Sequence, residues 1–156
     1  MKKIALVAAV MAALYLMSPR ANAFETSLDT IGVHVGSVHS NTNQHWNNSN
    51  PGIYGVWKVE GAHEWLDGRY VAGTYYNSIY RQSYYAGRVF EWDTGFGHVG
   101  LIAGFVTGYK AAPVVPALIP SYRVDVSEHV SARVSIAPKV DKGGASAIHL
   151  SFEWRF

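Results

Sequence analysis

The ten residues that close the chain, Ala147-Ile-His-Leu-Ser-Phe-Glu-Trp-Arg-Phe156, constrain the fold more than any other stretch. Ile148, Leu150, Phe152, Trp154 and Phe156 alternate with His149, Ser151, Glu153 and Arg155, a period of two with no slip. This pattern predicts a β-strand with one apolar face and one polar face, finishing on an aromatic side chain. A soluble antiparallel sheet could end on such a strand too, so the other end of the chain has to be read with it.

Met1-Lys2-Lys3 supplies a positive start, Ile4 to Met17 is an apolar run, and Pro19-Arg20-Ala21-Asn22-Ala23 offers a small-x-small cleavage site. The run is too short to span a bilayer as a helix. It reads as a signal peptide over residues 1–23, cut after Ala23, the alternative being an uncleaved N-terminal anchor. Lys2, Lys3 and Arg20 leave with it, so thirteen basic residues fall to ten against eleven acids. The mature chain is close to neutral and has no basic surplus to suggest nucleic acid. Cysteine is absent, so an exported chain of this size is expected to be held by something other than disulfides. Closure of a barrel, which pairs strand edges, meets that need.

About 133 residues remain, enough for one domain over 24–156. No segment of it shows a sustained helical period. Eight strands are predicted: Thr30–His39, Gly52–Val59, Arg69–Ser78, Ser83–Trp92, Gly97–Thr107, Val115–Val124, Val130–Pro138 and Ala147–Phe156. Turn formers separate them at 47–52, 66–68, 92–95 and 141–144. The fold class expected is all-β, an eight-stranded antiparallel transmembrane β-barrel in the bacterial outer membrane, where closing strands turn large apolar residues to lipid. Four hairpins would put both termini on the periplasmic side, with Ser40–Pro51 as the first outward loop and Ser78–Gln82 joining strands three and four.

A barrel of this size holds side chains or one slim ligand, which argues against a general porin. The dense aromatics (Tyr70, Tyr75, Tyr76, Tyr84, Tyr85, Trp57, Trp65 and Trp92) read mostly as interfacial girdle residues. His63, His98, His129 and His149 show no ligand spacing, no phosphate-binding glycine loop is present, and neither a metal nor any other cofactor is expected. A monomer is expected.

Ala111-Ala-Pro113-Val-Val-Pro116-Ala-Leu-Ile-Pro120 places three prolines at or inside a strand rich in Val, Leu and Ile. Proline cannot donate to a ladder, and unpaired carbonyls facing lipid are costly. Two readings stand: a lateral opening that admits a lipid tail, or a loop that absorbs Pro113 and Pro116.

At these residues the chain resembles the PagP-type lipid A palmitoyltransferases, small eight-stranded outer-membrane barrels. The carriers are Gly100-Leu-Ile-Ala-Gly-Phe-Val-Thr-Gly, Pro113-Val-Val-Pro116-Ala-Leu-Ile-Pro120, Ile136-Ala-Pro138 and the closing strand. Upstream, Trp46-Asn47 with Pro51-Gly52-Ile-Tyr-Gly, and Tyr76-Asn77-Ser78 with Tyr85-Ala86-Gly87, resemble further family stretches. The resemblance touches most of the mature chain through short motifs. It implies transfer of an acyl chain from phospholipid to lipid A, with phospholipid and lipopolysaccharide as partners. Pro113, Pro116 and Pro120 would then form a lateral gate.

The family uses a His and an Asp-Ser pair at the outer rim. The resemblance puts the Ser at Ser78 and the His at His39 or His34, while Asn77 stands where the family has its acid. Acyl transfer needs a proton acceptor for the attacking hydroxyl, and histidine serves near neutral pH. Strand parity turns His34 to the lumen, because Ile31, Val33 and Val35 alternate with Gly32, His34 and Gly36. His39 sits nearer the rim and is slightly favoured. An amide at Asn77 orients but cannot ionise. The family's acyl-measuring glycine falls at Val89, which would shorten an acyl pocket.

A second resemblance competes. Val38-His39-Ser40-Asn41 with Asn48-Ser-Asn-Pro51-Gly52 is similar to the His-x-Ser region of PagL-type lipid A deacylases, although that family carries it on late strands. The expected functions are therefore a lipid A acyltransferase, a non-catalytic lipid-binding or surface-altering barrel, and a lipid A deacylase, with a soluble exported barrel as the purely structural reading.

Overall fold

The computed structural model describes residues 24–40, 43–61, 63–139 and 144–156. The expected signal peptide lies outside them. Eight strands follow one another: β1 (Glu25–His39), β2 (Gly52–Glu60), β3 (Gly68–Tyr76), β4 (Gln82–Asp93), β5 (His98–Thr107), β6 (Val114–Asp125), β7 (Val130–Ala137) and β8 (Ala147–Arg155). Each pairs antiparallel with the next, and β1 pairs with β8, which closes the barrel. Phe24 and Phe156 lie at the same, proximal end. The described residues of the connections 40–51, 77–81, 108–113 and 138–146 lie at the distal end.

The expected strands are present, with one boundary moved far. β1 starts at Glu25 and not at Thr30. Its register against β2 shifts between Leu28 and Thr30, so Asp29 is a bulge that interrupts the alternation.

The barrel is apolar outside and largely polar inside. Val38, Phe105 and Leu118 are exposed to 72%, 61% and 61% on the outer wall, whereas Thr30, Ser83 and Ser131 are fully buried in the lumen. Exposed Trp57, Trp92 and Trp154 lie toward the proximal end, and exposed Tyr76, Tyr80 and Tyr84 toward the distal end. Two aromatics expected in the girdle are elsewhere. Tyr75 and Tyr85 point inward, because their positions share the inward parity of Val71 and Val89.

Three layers fill the lumen. At the proximal end eight charges form one connected network: Arg69 with Asp29 and Glu91, Arg123 with Glu91, Asp125 and Glu153, Arg133 with Glu91 and Glu153, and Arg155 with Asp125. Four cations face four carboxylates, so the layer is neutral. The middle layer packs Tyr54, Val56, Val71 and Val89, with Tyr85 and Ile102 against them. Gly32 makes room for it, since a Cβ there would overlap the Tyr54 ring. Tyr54 ties the two layers together by donating its hydroxyl to Glu153 at 2.8 Å. The distal layer is an apolar chamber.

One seam is incomplete. The β6–β7 ladder runs only from Ser121↔Ser135 to Asp125↔Ser131. Distal to it, β6 stays paired with β5 through Leu101↔Pro120 and Phe105↔Pro116, and β7 stays paired with β8 to Ala137↔Ala147. Alternate residues of a strand present their backbone groups to the same edge. Pro116 and Pro120 therefore withhold their N–H groups from a single edge, and the unbroken β5 ladder leaves that edge facing β7.

Candidate functional site

The distal segment 43–51 is laid over the barrel mouth by its asparagines. Asn47 N–H donates to Ser78 O at 2.9 Å, and the Asn47 side chain donates to Asn77 O at 3.1 Å. Asn50, fully buried, donates to Tyr76 O and Asn47 O at 3.1 Å each and accepts from Ser37 Oγ. These bonds clamp the first connection onto the β3–β4 turn. That clamp brings two distant residues together.

His39 Nε2 lies 2.6 Å from Ser78 Oγ, and its Nδ1 lies 2.9 Å from Asn48 Oδ1. An amide oxygen only accepts, so Nδ1 carries the proton and Nε2 accepts from the Ser78 hydroxyl. Trp46 stacks on the imidazole with centroids 5.2 Å apart and planes at 16°. The ring is thus fixed in tautomer by Asn48 and in plane by Trp46. The arrangement has the geometry that a nucleophile, base and orienter in series would take, with an amide in the third place. Asn48 and Trp46 carry no sequence signal for this role. Several asparagines crowd 41–50, and nothing in their spacing tells which one faces a histidine.

Asn77 does something else. Its Oδ1 accepts from the N–H of Ile79 and of Arg81 at 3.0 Å each, and its Nδ2 donates to Ser83 Oγ at 2.9 Å and Gly108 O at 3.2 Å. It is completely buried. At the position expected for an acidic partner stands a brace for the turn that carries Ser78. The brace also holds Tyr80 at φ 59°, a left-handed conformation that a bulky residue keeps only under constraint. Ser40 is tied to Ser146 across the mouth and takes no part in the His39 pair.

Both candidate histidines face the lumen, although their numbers differ in parity. The β1–β8 register shifts between His34 and Gly36, a second bulge that reverses the alternation. His39 then pairs with buried Ala147 at the rim, and His34 lies deeper, 2.9 Å from Tyr85 Oη and between the rings of Tyr54 and Tyr75. Of the two, only His39 meets Ser78.

Two cavities adjoin. A small one of about 40 Å³ covers Ser78 and His39, bounded by Trp46, Ile79, Tyr109 and Pro138. A larger one of about 110 Å³ lies beneath it, with His34, Tyr75 and Tyr85 toward the barrel axis and Ile102, Gly104 and Val106 along one wall. Tyr109, Ala137, Pro138 and His149 line both. The larger cavity is also lined by Pro116, Ala117 and Ile119 of β6 and by Ser135, Ala137 and Pro138, so it touches both lips of the open seam. Pro120 sits on the same outward edge of β6, at the last position before pairing resumes. Pro113 precedes the strand and belongs to the 108–113 connection. Val89 lies two lumenal positions deeper than Tyr85, inside the packed middle layer rather than on the chamber wall.

No family model matches the chain, and no curated protein does. Among solved structures it is similar to the solution NMR structure of the de novo designed TMB2.3, with a TM-score of 0.52 and 17% identity over 83% of this chain and 96% of that one. At that identity the likeness shows the barrel fold alone. Among the described residues no group of three or more His, Cys, Asp or Glu side chains gathers as a metal site.

Proposed function

We propose that the chain is a bacterial outer-membrane barrel that moves an acyl chain at its outer rim, in the manner of the PagP-type enzymes, from a phospholipid to lipid A. The apolar outer wall between two aromatic belts supports the membrane setting. The observation that carries the reaction is the Asn48–His39–Ser78 series standing over an apolar chamber that borders the open seam.

The chemistry follows from that placement. A donor tail enters the chamber between β6 and β7, through the gate bordered by Pro116 and Pro120, and its ester reaches Ser78. His39 Nε2 takes the Ser78 proton as Oγ adds to the ester carbonyl, then returns it to the departing alkoxide, which leaves as a lysolipid. An acceptor hydroxyl attacks the acyl-Ser78 with His39 again as base, and Ser78 is regenerated. Asn48 holds the tautomer throughout but leaves the imidazolium without a carboxylate, so transfer is slow relative to an acid-assisted series. A chamber of about 110 Å³ bottomed by His34, Tyr75 and Tyr85 favours a short chain.

The test is mass spectrometry of lipid A from a strain lacking its own modifying acyltransferases, with the wild-type chain, Ser78→Ala and His39→Ala. A gain of one acyl mass that both substitutions abolish supports the proposal. A Ser78-dependent loss of an acyl mass would instead assign a deacylase in which water takes the acyl group. An unchanged spectrum, with the folded protein in the outer membrane, overturns catalysis and leaves a lipid-binding barrel.

A further inference from the structure

We infer that the distal rim grips the phosphate groups of a phosphorylated lipid headgroup through Arg81, Lys110 and Lys139. The inference rests on the proposed membrane setting and names what holds the acceptor, but it does not depend on the Ser78 chemistry.

It comes from how the cations are distributed. Toward the proximal end every one among the described residues is engaged: Lys58 pairs with Glu60, Arg69, Arg123, Arg133 and Arg155 belong to the charge network, and Arg88 donates to Trp65 O at 2.7 Å and Asp67 O at 2.5 Å. At the distal end Arg81, Lys110 and Lys139 are exposed, and among the described residues none of their side chains makes an ion pair or hydrogen bond. The described residues of the distal connections contain no carboxylate at all. Asp141 and Lys142, outside the described residues, cancel each other in sign.

A lone surface cation is ordinarily just solvated, and an exposed pair contributes little. Segregation is what carries weight here. Three unopposed charges on neighbouring connections sum to a positive field that no nearby acid among the described residues neutralises. Each also stands beside the wall of the catalytic cavity: Ile79 is two residues from Arg81, Tyr109 adjoins Lys110, and Pro138 adjoins Lys139. The cations therefore lie on the connections that border the cavity holding Ser78.

The outer wall argues for a lipid as the source of the phosphates. Exposed Tyr76 and Tyr80 meet edge to face at 6.3 Å beside Arg81, and exposed Tyr84 follows. Such rings settle at headgroup depth, which puts the three cations at the level of lipid phosphates. Near an anionic bilayer surface each Lys or Arg strengthens attraction roughly five-fold, so three together give on the order of 100-fold.

The experiment titrates the full chain, folded in zwitterionic detergent micelles, with diphosphorylated lipid A and with the same lipid after dephosphorylation, following tryptophan fluorescence. The wild type and Ser78→Ala should both bind the phosphorylated form about 100-fold more tightly, with affinity falling as salt rises. The combined variant Arg81→Gln, Lys110→Gln and Lys139→Gln, checked for folding by heat-modifiable migration, should lose that preference. Equal binding of the two lipids by the wild type, or full preference in the triple variant, overturns the inference. Inorganic phosphate competing at lipid concentrations would overturn the assignment to a lipid. A lipid A spectrum unchanged by expression, with the binding preference intact, would sink the transfer reaction and leave this inference standing.

Discussion

Replacing Arg133 by Met probes the part of the molecule with the most at stake per side chain. Arg133 Nε donates to Glu153 at 2.6 Å, Nη2 donates to Glu91 at 2.5 Å, and Nη1 donates to Ser121 at 3.0 Å. The side chains of Arg133, Glu153 and Glu91 are only 4%, 1% and 10% exposed. Methionine fills much of the volume but leaves three cations against four carboxylates. Glu153 then retains only the Tyr54 hydroxyl at 2.8 Å and Arg123 at 3.9 Å. Removing one partner of a buried pair costs about 3–5 kcal/mol, because the other charge stays desolvated.

The double variant Arg133→Met with Glu153→Gln restores three charges of each sign, and the new amide oxygen can still accept from Tyr54. It should regain at least about 2 kcal/mol over Arg133→Met alone, since deleting both members of a buried pair is often nearly neutral. Urea titration of the folded barrel in phospholipid vesicles, followed by tryptophan fluorescence and gel migration, measures all four corners of the cycle. A single variant within about 1 kcal/mol of wild type, or a double variant whose loss equals the sum of the singles, would refute a tightly coupled neutral network.

The two amides near the site should respond in opposite ways. Asn48→Ala frees the far ring nitrogen of His39 and should lower the transfer rate constant at least about ten-fold with little change in KM, whereas Asn48→Asp should match or exceed wild type; steady-state transfer from a labelled phospholipid reads both, and an unimpaired Asn48→Ala removes Asn48 from the mechanism. Asn77→Asp supplies the acid that PagP-type enzymes carry at the position it resembles, yet should not raise the rate. It strips the donor from Gly108 O inside a fully buried turn, so a stability loss of about 1–3 kcal/mol in the same urea assay is expected, and a faster, equally stable variant would contradict the brace.

The barrel was legible in the sequence because period-two alternation survives in most strands, β8 most plainly. Legibility failed where bulges interrupt it. Asp29 hid the first five residues of β1, and the bulge between His34 and Gly36 let His34 and His39 share the lumen although simple parity separates them. The Ser78–His39 pairing was half legible, as two residues on one rim. What decides it, the clamp from Asn47 and Asn50, is long-range hydrogen bonding with no local signature. The charge network does have a local signature. Arg69, Glu91, Arg123, Arg133 and Glu153 each fall on the inward parity of strands whose outward residues are mostly apolar, a pattern that only makes sense in a polar lumen.

The open seam and the charge network answer each other. A ladder that stops short leaves backbone groups unpaired at an edge. Here side chains hold the part that stays paired. Arg133 of β7 donates to Ser121 of β6 at the last paired position, while Arg123 of β6 donates to Ser131 of β7 at 3.3 Å and Ser131 donates to Asp125 at 2.9 Å. These cross-strand bonds staple β6 to β7 along the paired segment, from Ser121 beside the gap to Asp125 at its proximal end. The same guanidinium that pairs with Glu153 therefore also braces the last paired position beside the gap. Pro116 stands inside the gap and Pro120 at its proximal limit, and there the arginines take over and hold the paired segment.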